Sequence, residues 1–128
     1  MIVDSNLIIL ASKPVNPEVR TWVIQNPGSI SAITRVEVLG FPNMEESERL
    51  IFDLIIERHT AIPISDSVLD EAIRLKQNKK MSLGDSIIAR TAILNGGELA
   101  TRNLKDFKNI TGLSAGDPTR PAGPSGTL

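Results

Sequence analysis

The chain has 128 residues, 41% hydrophobic and 23% charged, with a formal net charge of −1. That balance suits one domain around one core and excludes a polycation or a wholly disordered chain. The lack of cysteine excludes disulfides and thiolate metal sites, and one Trp, three Phe and no Tyr exclude a platform of several base-stacking aromatics.

Met1-Ile-Val-Asp4 reads as a short apolar strand ending in a carboxylate. It has no basic leader region, so no secretory signal is expected. No apolar run approaches the roughly 18 residues of a membrane span, so the expected setting is cytoplasmic and no membrane partner is expected. Leu7–Leu10 starts a short helix that Pro14 breaks. Asn16-Pro17-Glu18 opens the next: a cap, a proline in the first turn, then an acid. Val19, Trp22 and Val23 share its apolar face, and Asn26-Pro27-Gly28 stops it.

Ser29–Ile33 predicts a second strand, and Thr34–Glu37 opens a short helix ending near Gly40. Met44–Arg58 predicts an amphipathic helix with Leu50, Ile51, Leu54 and Ile55 inward and Glu45, Glu46, Glu48 and Arg49 mostly outward. Its lone histidine, His59, suits the helix's negative end, and one histidine makes no zinc site. Thr60–Ile64 predicts a third strand. Ser65-Asp66 caps a helix running to about Asn78, with Val68, Leu69, Ala72, Ile73 and Leu75 as its apolar positions.

Ser82 begins the densest stretch, SLGDSIIARTAILNGGELATRNLKDF. It holds a helix with Ile87, Ile88, Ala92 and Leu94 at roughly helical spacing. Asn95-Gly96-Gly97 ends the helix with residues that tolerate left-handed geometry. Glu98–Thr101 follows as a buried strand, and a second helix starts near Asp106. Ile110–Leu113 predicts a last edge strand. Residues 114–128 are rich in Pro and Gly and are expected to form a flexible tail. Strand and helix signals alternate throughout. They predict one α/β domain over residues 1–113, with a mostly parallel sheet of four or five strands and helices on both faces.

In such sheets, sites lie beyond the carboxyl ends of the strands. Asp4, Glu37 and Asp106 fall just after predicted strands, and Asp85 falls in the first turn of a helix. Carboxylates gathered there repel one another unless a cation joins them. Hard oxygen donors of this kind suit Mg²⁺ or Mn²⁺, which can hold a scissile phosphate and activate water. Bland roles compete. Thr34-x-x-Glu37 and Ser82-x-x-Asp85 each fit a capping box, worth on the order of 1 kcal/mol without any function. Asp106 fits a cap for the helix around Phe107.

Residues 72–108 carry eight basic side chains against three acidic ones, a local net of +5, and the remainder carries −6. A basic half beside an acidic cluster suits a polyanion held near metal ions. The candidate RNA contacts are Arg74, Lys76, Lys79, Lys80, Arg90, Arg102 and Lys105. Solvated helix faces are the plain alternative.

Four segments in order, MIVDSN at the start, TRVEVLGF around Glu37, SLGDSIIA around Asp85 and ATRNLKDF at 100–107, resemble the motifs of PIN-domain nucleases. The resemblance spans roughly residues 1–113 and is closest to VapC toxins of VapBC toxin–antitoxin pairs. It implies an α/β/α domain, Mg²⁺- or Mn²⁺-dependent RNA cleavage and a small VapB-like antitoxin. By the same resemblance Asp4, Glu37, Asp85 and Asp106 match the acidic quartet, with Asn6 and Thr101 in support. Many relatives place an acid where this chain has Asn103, so either Asn103 or Asp106 completes that corner. The amphipathic helices at 44–58 and 66–78 predict a homodimer. Two other readings compete: a receiver-like phosphoryl-transfer pocket, for which Lys105 is the sole candidate lysine after the late strand, and a non-catalytic module whose acids only cap helices.

Overall fold

The computed structural model describes residues 1–120. Five strands, β1 (Ile2–Val3), β2 (Ser29–Ser31), β3 (Thr60–Ile62), β4 (Glu98–Ala100) and β5 (Ser114–Gly116), form one sheet in the order β3-β2-β1-β4-β5. Every pairing is parallel. The seven helices among the described residues are α1 (Ser5–Ala11), α2 (Pro17–Gln25), α3 (Ala32–Leu39), α4 (Glu46–Arg58), α5 (Asp66–Asn78), α6 (Leu83–Leu94) and α7 (Leu104–Phe107).

The two-residue period of a strand divides the core. Val3, Ile30 and Ala100 face a layer with Leu7, Ile8, Val19, Val23, Phe52 and Ile55. Ile2 and Leu99 face the other, with Ile88, Ala89, Ala92 and Phe107. Each fully buried Leu, Ile, Val or Phe side chain stabilises by roughly 1.5–3 kcal/mol. Both faces are therefore covered, as a parallel sheet requires. In α6 most residues are buried, including Ile87, Ile88, Ala89, Thr91 and Ala92; Leu94, expected inward, is half exposed.

Several expectations are corrected. β2 stops at Ser31, and α3 begins three residues before Thr34 would cap it. Ser31 Oγ accepts the Ile33 N–H at 3.2 Å and is the cap. Thr34 is fully buried in the first turns of the helix. The capping box proposed for Thr34 and Glu37 is therefore absent, which leaves Glu37 without a local structural role.

The last strand is Ser114–Gly116, not Ile110–Leu113. Residues 110–113 turn instead: Gly112 has φ +85°, and the Leu113 N–H donates to the Ile110 carbonyl at 3.1 Å. The tail expected from residue 114 thus begins inside the sheet as β5, and residues 117–119 are partly buried; residues 121–128 lie outside the described residues. The inner face of α4 is Phe52 and Ile55, flanked by Ile51 and Ile56, while Leu50 is 64% exposed. Glu48 also turns inward, and its Oε2 lies 2.5 Å from Lys13 Nζ. On α5, Val68, Ala72 and Leu75 are buried and Leu69 and Ile73 face out.

Candidate active site

Parallel strands bring their carboxyl ends to one edge, and the acids gather there. Asp4 follows β1 and occupies the backbone cap position of α1, yet its carboxylate does not cap that helix. Thr101, the first residue after β4, donates its hydroxyl to Asp4 Oδ2 at 2.7 Å instead. Asp4 is 2% exposed. Burial, opposed by the Thr101 hydroxyl and the Asn6 backbone N–H and reinforced by the charges of Asp85 and Glu37, pushes its carboxyl up to about 6.

Glu37 lies in the second turn of α3. Ser5 Oγ is 2.7 Å from Glu37 Oε1 and 3.0 Å from Thr34 Oγ1. A carboxylate only accepts, so the Ser5 proton belongs to Glu37. The other side of Glu37 meets Gly84, where a Cβ would run into Oε2 and come to 3.0 Å from Cδ. With Glu37 in this position only hydrogen fits at Gly84, and a side chain there would displace that carboxylate.

Asp85 follows Gly84 in the first turn of α6. Its backbone N–H donates to the hydroxyl of the cap residue Ser82 at 3.1 Å, so half of the expected capping box exists. Burial raises the Asp85 carboxyl, the Ser82 hydroxyl opposes this, and the charges of Asp106 and Glu37 raise it further. Asp106 is exposed in α7, whose cap position is Asn103. Asn103 donates its backbone N–H to Thr101 Oγ1 at 2.9 Å, and its side chain is exposed. Asn6 Oδ1 accepts the Arg102 N–H at 3.1 Å, tying the start of α1 to the turn after β4.

The acids therefore gather at one edge, where Asp4 feels the charges of Asp85 and Glu37, and Asp85 those of Asp106 and Glu37. Among the described residues no three of them close into a ready-made metal cage. The donors present are hard carboxylate and hydroxyl oxygens, the chemistry that fits Mg²⁺ or Mn²⁺. Sequence reasoning missed Ser5, Thr34 and Gly84. Ser5 adjoins Asp4 and Gly84 adjoins Asp85, but nothing local says that both touch Glu37, 32 and 47 residues away in the chain.

The basic candidates divide. Arg74 and Arg90 both pair with Glu71, and Arg90 Nε also donates to the Glu71 carbonyl at 3.2 Å. Lys76 donates to the Met81 carbonyl at 2.9 Å. Arg102 is engaged with Glu18, Asp117 and Thr119. Among the described residues, Lys79, Lys80 and Lys105 make no ion pair.

Comparison with known proteins agrees with this layout. The family model described as the PIN domain matches residues 1–113. A chain of a toxin–antitoxin complex from Klebsiella pneumoniae is 32% identical, with TM-score 0.69 over 88% of this chain and 94% of that one. A chain of VapBC-1 from nontypeable Haemophilus influenzae is 27% identical, with TM-score 0.71 over 93% and 98%. A chain of VapBC2 from Rickettsia felis, solved with a promoter DNA fragment, is 20% identical at TM-score 0.71 over 91% and 96%, a likeness of fold alone. No curated protein matches at the same stringency. A family model that runs through all four acid positions, on a five-stranded parallel sheet that turns those acids to one edge, has one reading: the chain belongs to the PIN domain family.

Proposed function

We propose that the chain is an endoribonuclease dependent on Mg²⁺ or Mn²⁺, and the toxin of a toxin–antitoxin pair. The observation that supports this most is Asp4: a buried carboxylate, held by a hydroxyl 97 residues away on Thr101 and facing Glu37 and Asp85. Such a group destabilises the chain unless a cation compensates it.

Asp4, Glu37, Asp85 and Asp106 are the proposed metal-holding acids. The bound ion would supply Lewis-acid stabilisation of the phosphate and a water of lowered pKa. The chain's own contribution is orientation. Thr101 fixes Asp4 through its Oδ2. Ser5 fixes Glu37 through its Oε1. Asp85 starts a helix whose first N–H groups favour negative charge, which offsets part of the repulsion. Asp106 is the exposed acid, suited to meeting solvent and substrate at the rim, with Asn103 beside it. Phosphates of the RNA are proposed to lie over Lys79, Lys80 and Lys105, with Arg74, Lys76 and Arg90 as further candidates, while Arg102 is already engaged with Glu18, Asp117 and Thr119.

Two of the similar structures named above are a toxin–antitoxin complex and VapBC-1. A small neighbour-encoded antitoxin is the corresponding proposal for this chain. Val36, Leu50, Leu69 and Ile73 are large apolar side chains left exposed, which supports a homodimer and a bound partner. Among the described residues no helix is long and apolar enough to cross a membrane, and a cytoplasmic setting is proposed. The test is cleavage of RNA in Mg²⁺, in Mn²⁺ and in EDTA by the wild-type chain and by Asp4→Asn. Cleavage in EDTA, or wild-type cleavage by Asp4→Asn, would remove the metal-site assignment.

A further inference from the structure

The turn at residues 101–103 carries three connections into the site. Thr101 holds Asp4, Arg102 donates its backbone N–H to Asn6, and Asn103 donates its own to Thr101. The turn leads directly into α7, which bears Asp106. The Arg102 side chain points away from solvent and is 18% exposed. Its Nε and Nη2 both donate to Thr119 Oγ1, at 3.1 and 2.9 Å. Nη2 lies 3.3 Å from Glu18 Oε1, and Nε lies 3.4 Å from Asp117 Oδ2.

Thr119 is in turn fixed. Its hydroxyl and its backbone N–H both donate to Asp117 Oδ1, at 2.6 and 2.9 Å. Asp117 is 5% exposed and also pairs with Arg120 at 3.1 Å. Two acids thus face two arginines, so the cluster closes neutral. The main chain runs the same way: the Thr101 N–H donates to the Gly116 carbonyl at 3.0 Å. Asp117 and Thr119 lie beyond residue 113, where the family match ends.

We propose that Arg102, Asp117 and Thr119 form a clamp that sets the 101–103 turn, making Arg102 a positioning residue for Asp4 and Asp106 and not a contact for RNA. For its effect on cleavage the proposal rests on the nuclease reading above. A guanidinium already shared among two acids and a hydroxyl has little left to offer a phosphate. A turn held at both its backbone and its one long side chain keeps the Thr101 hydroxyl aimed at Asp4. Loss of such supporting groups typically costs 10–100-fold in metal affinity or activity.

The experiment uses the full chain. Thr119→Val removes the acceptor for two Arg102 donors, Thr119→Ser keeps it, and Asp117→Asn turns an amide donor toward the arginines. Expected are a kcat lowered about 10-fold or more in Thr119→Val and Asp117→Asn with KM unchanged, and recovery in Thr119→Ser. Binding in EDTA of a labelled RNA that the wild-type chain cleaves should keep its salt slope in all three, and in Arg102→Met. Hydrogen exchange of the Arg102 and Asn103 amides should quicken in Thr119→Val, while the α6 amides stay protected.

A salt slope reduced by about one in Arg102→Met, with normal kcat in Thr119→Val, would make Arg102 a phosphate contact and overturn the clamp. Unchanged exchange at both amides would overturn it as well. If the wild-type chain cleaves no RNA, the nuclease reading fails alone, and the exchange measurement still decides the clamp.

Discussion

The apolar layers beneath the sheet and the acidic rim at its carboxyl edge obey opposite rules. In the layers, each buried group lowers the free energy of the folded chain. At the rim, Asp4 is as buried as Ile2 or Val3, yet its burial favours the protonated form. Stability and site chemistry are therefore separable here by position, and substitutions at equal burial should act with opposite sign.

The largest expected effect is in the core. Phe52→Ala should cost about 3–5 kcal/mol, read as a lower urea midpoint with an unchanged slope. At the rim the sign reverses. Folding raises the Asp4 carboxyl from 3.8 to about 6, so the folded chain holds that proton more tightly than the unfolded one. Its contribution to stability is complete below about pH 4 and is lost as pH rises through about 6, a total of about 3 kcal/mol. Without added metal, Asp4→Asn should be more stable than wild type at pH 7 by up to that amount and should lose most of this pH slope. Asp85 is shifted the same way, so some slope should persist. Added Mn²⁺ should raise the melting temperature of wild type more than that of Asp4→Asn. If Asp4→Asn instead melts early at pH 7, as a core truncation does, the contrast collapses.

Much of the core was legible in the sequence because it rests on local pattern. Met1–Asp4, the Asn95-Gly96-Gly97 turn and the crowded apolar run of α6 all carry their own signals. The Ser31 cap was missed: Ser29–Ile33 offers β-branched residues suited to a strand, while the early helix is marked by Ser31 Oγ on the Ile33 N–H and by Thr34 buried against Ser5. β5 is Ser-Ala-Gly, three weak strand formers, and it exists because β4 offers an open edge. At the rim, the identity of the acids could be read from the motifs. Their supports could not, since Thr101 meets Asp4 across 97 residues and Arg102 meets Glu18 across 84.

A smaller effect sharpens the boundary between the two regions. Gly84→Ala adds one methyl where Glu37 sits, and should cost about 1–3 kcal/mol while displacing that carboxylate. Cleavage should fall further than stability predicts. Retained wild-type cleavage would show that Glu37 can move without consequence. The smallest effect on folding is expected from Lys79, Lys80 and Lys105. Replacing each by Gln should change stability by no more than about 0.5 kcal/mol and lower the salt slope of RNA binding by about one per lost phosphate contact. A salt slope unchanged in the triple variant would return them to solvent.

The hydrogen bond from Thr101 to Asp4 ties the first strand to the fourth. A ribosome adds about 5–20 residues per second, so Asp4 is made roughly 5–20 seconds before the hydroxyl that holds it. In that interval β1 lacks its β4 neighbour, and the carboxylate lacks the cover that makes it costly. Synthesis order therefore delays completion of the rim until residue 101 is made, and a chain cut short before it carries Asp4, Glu37 and Asp85 without the Thr101 hydroxyl that holds Asp4.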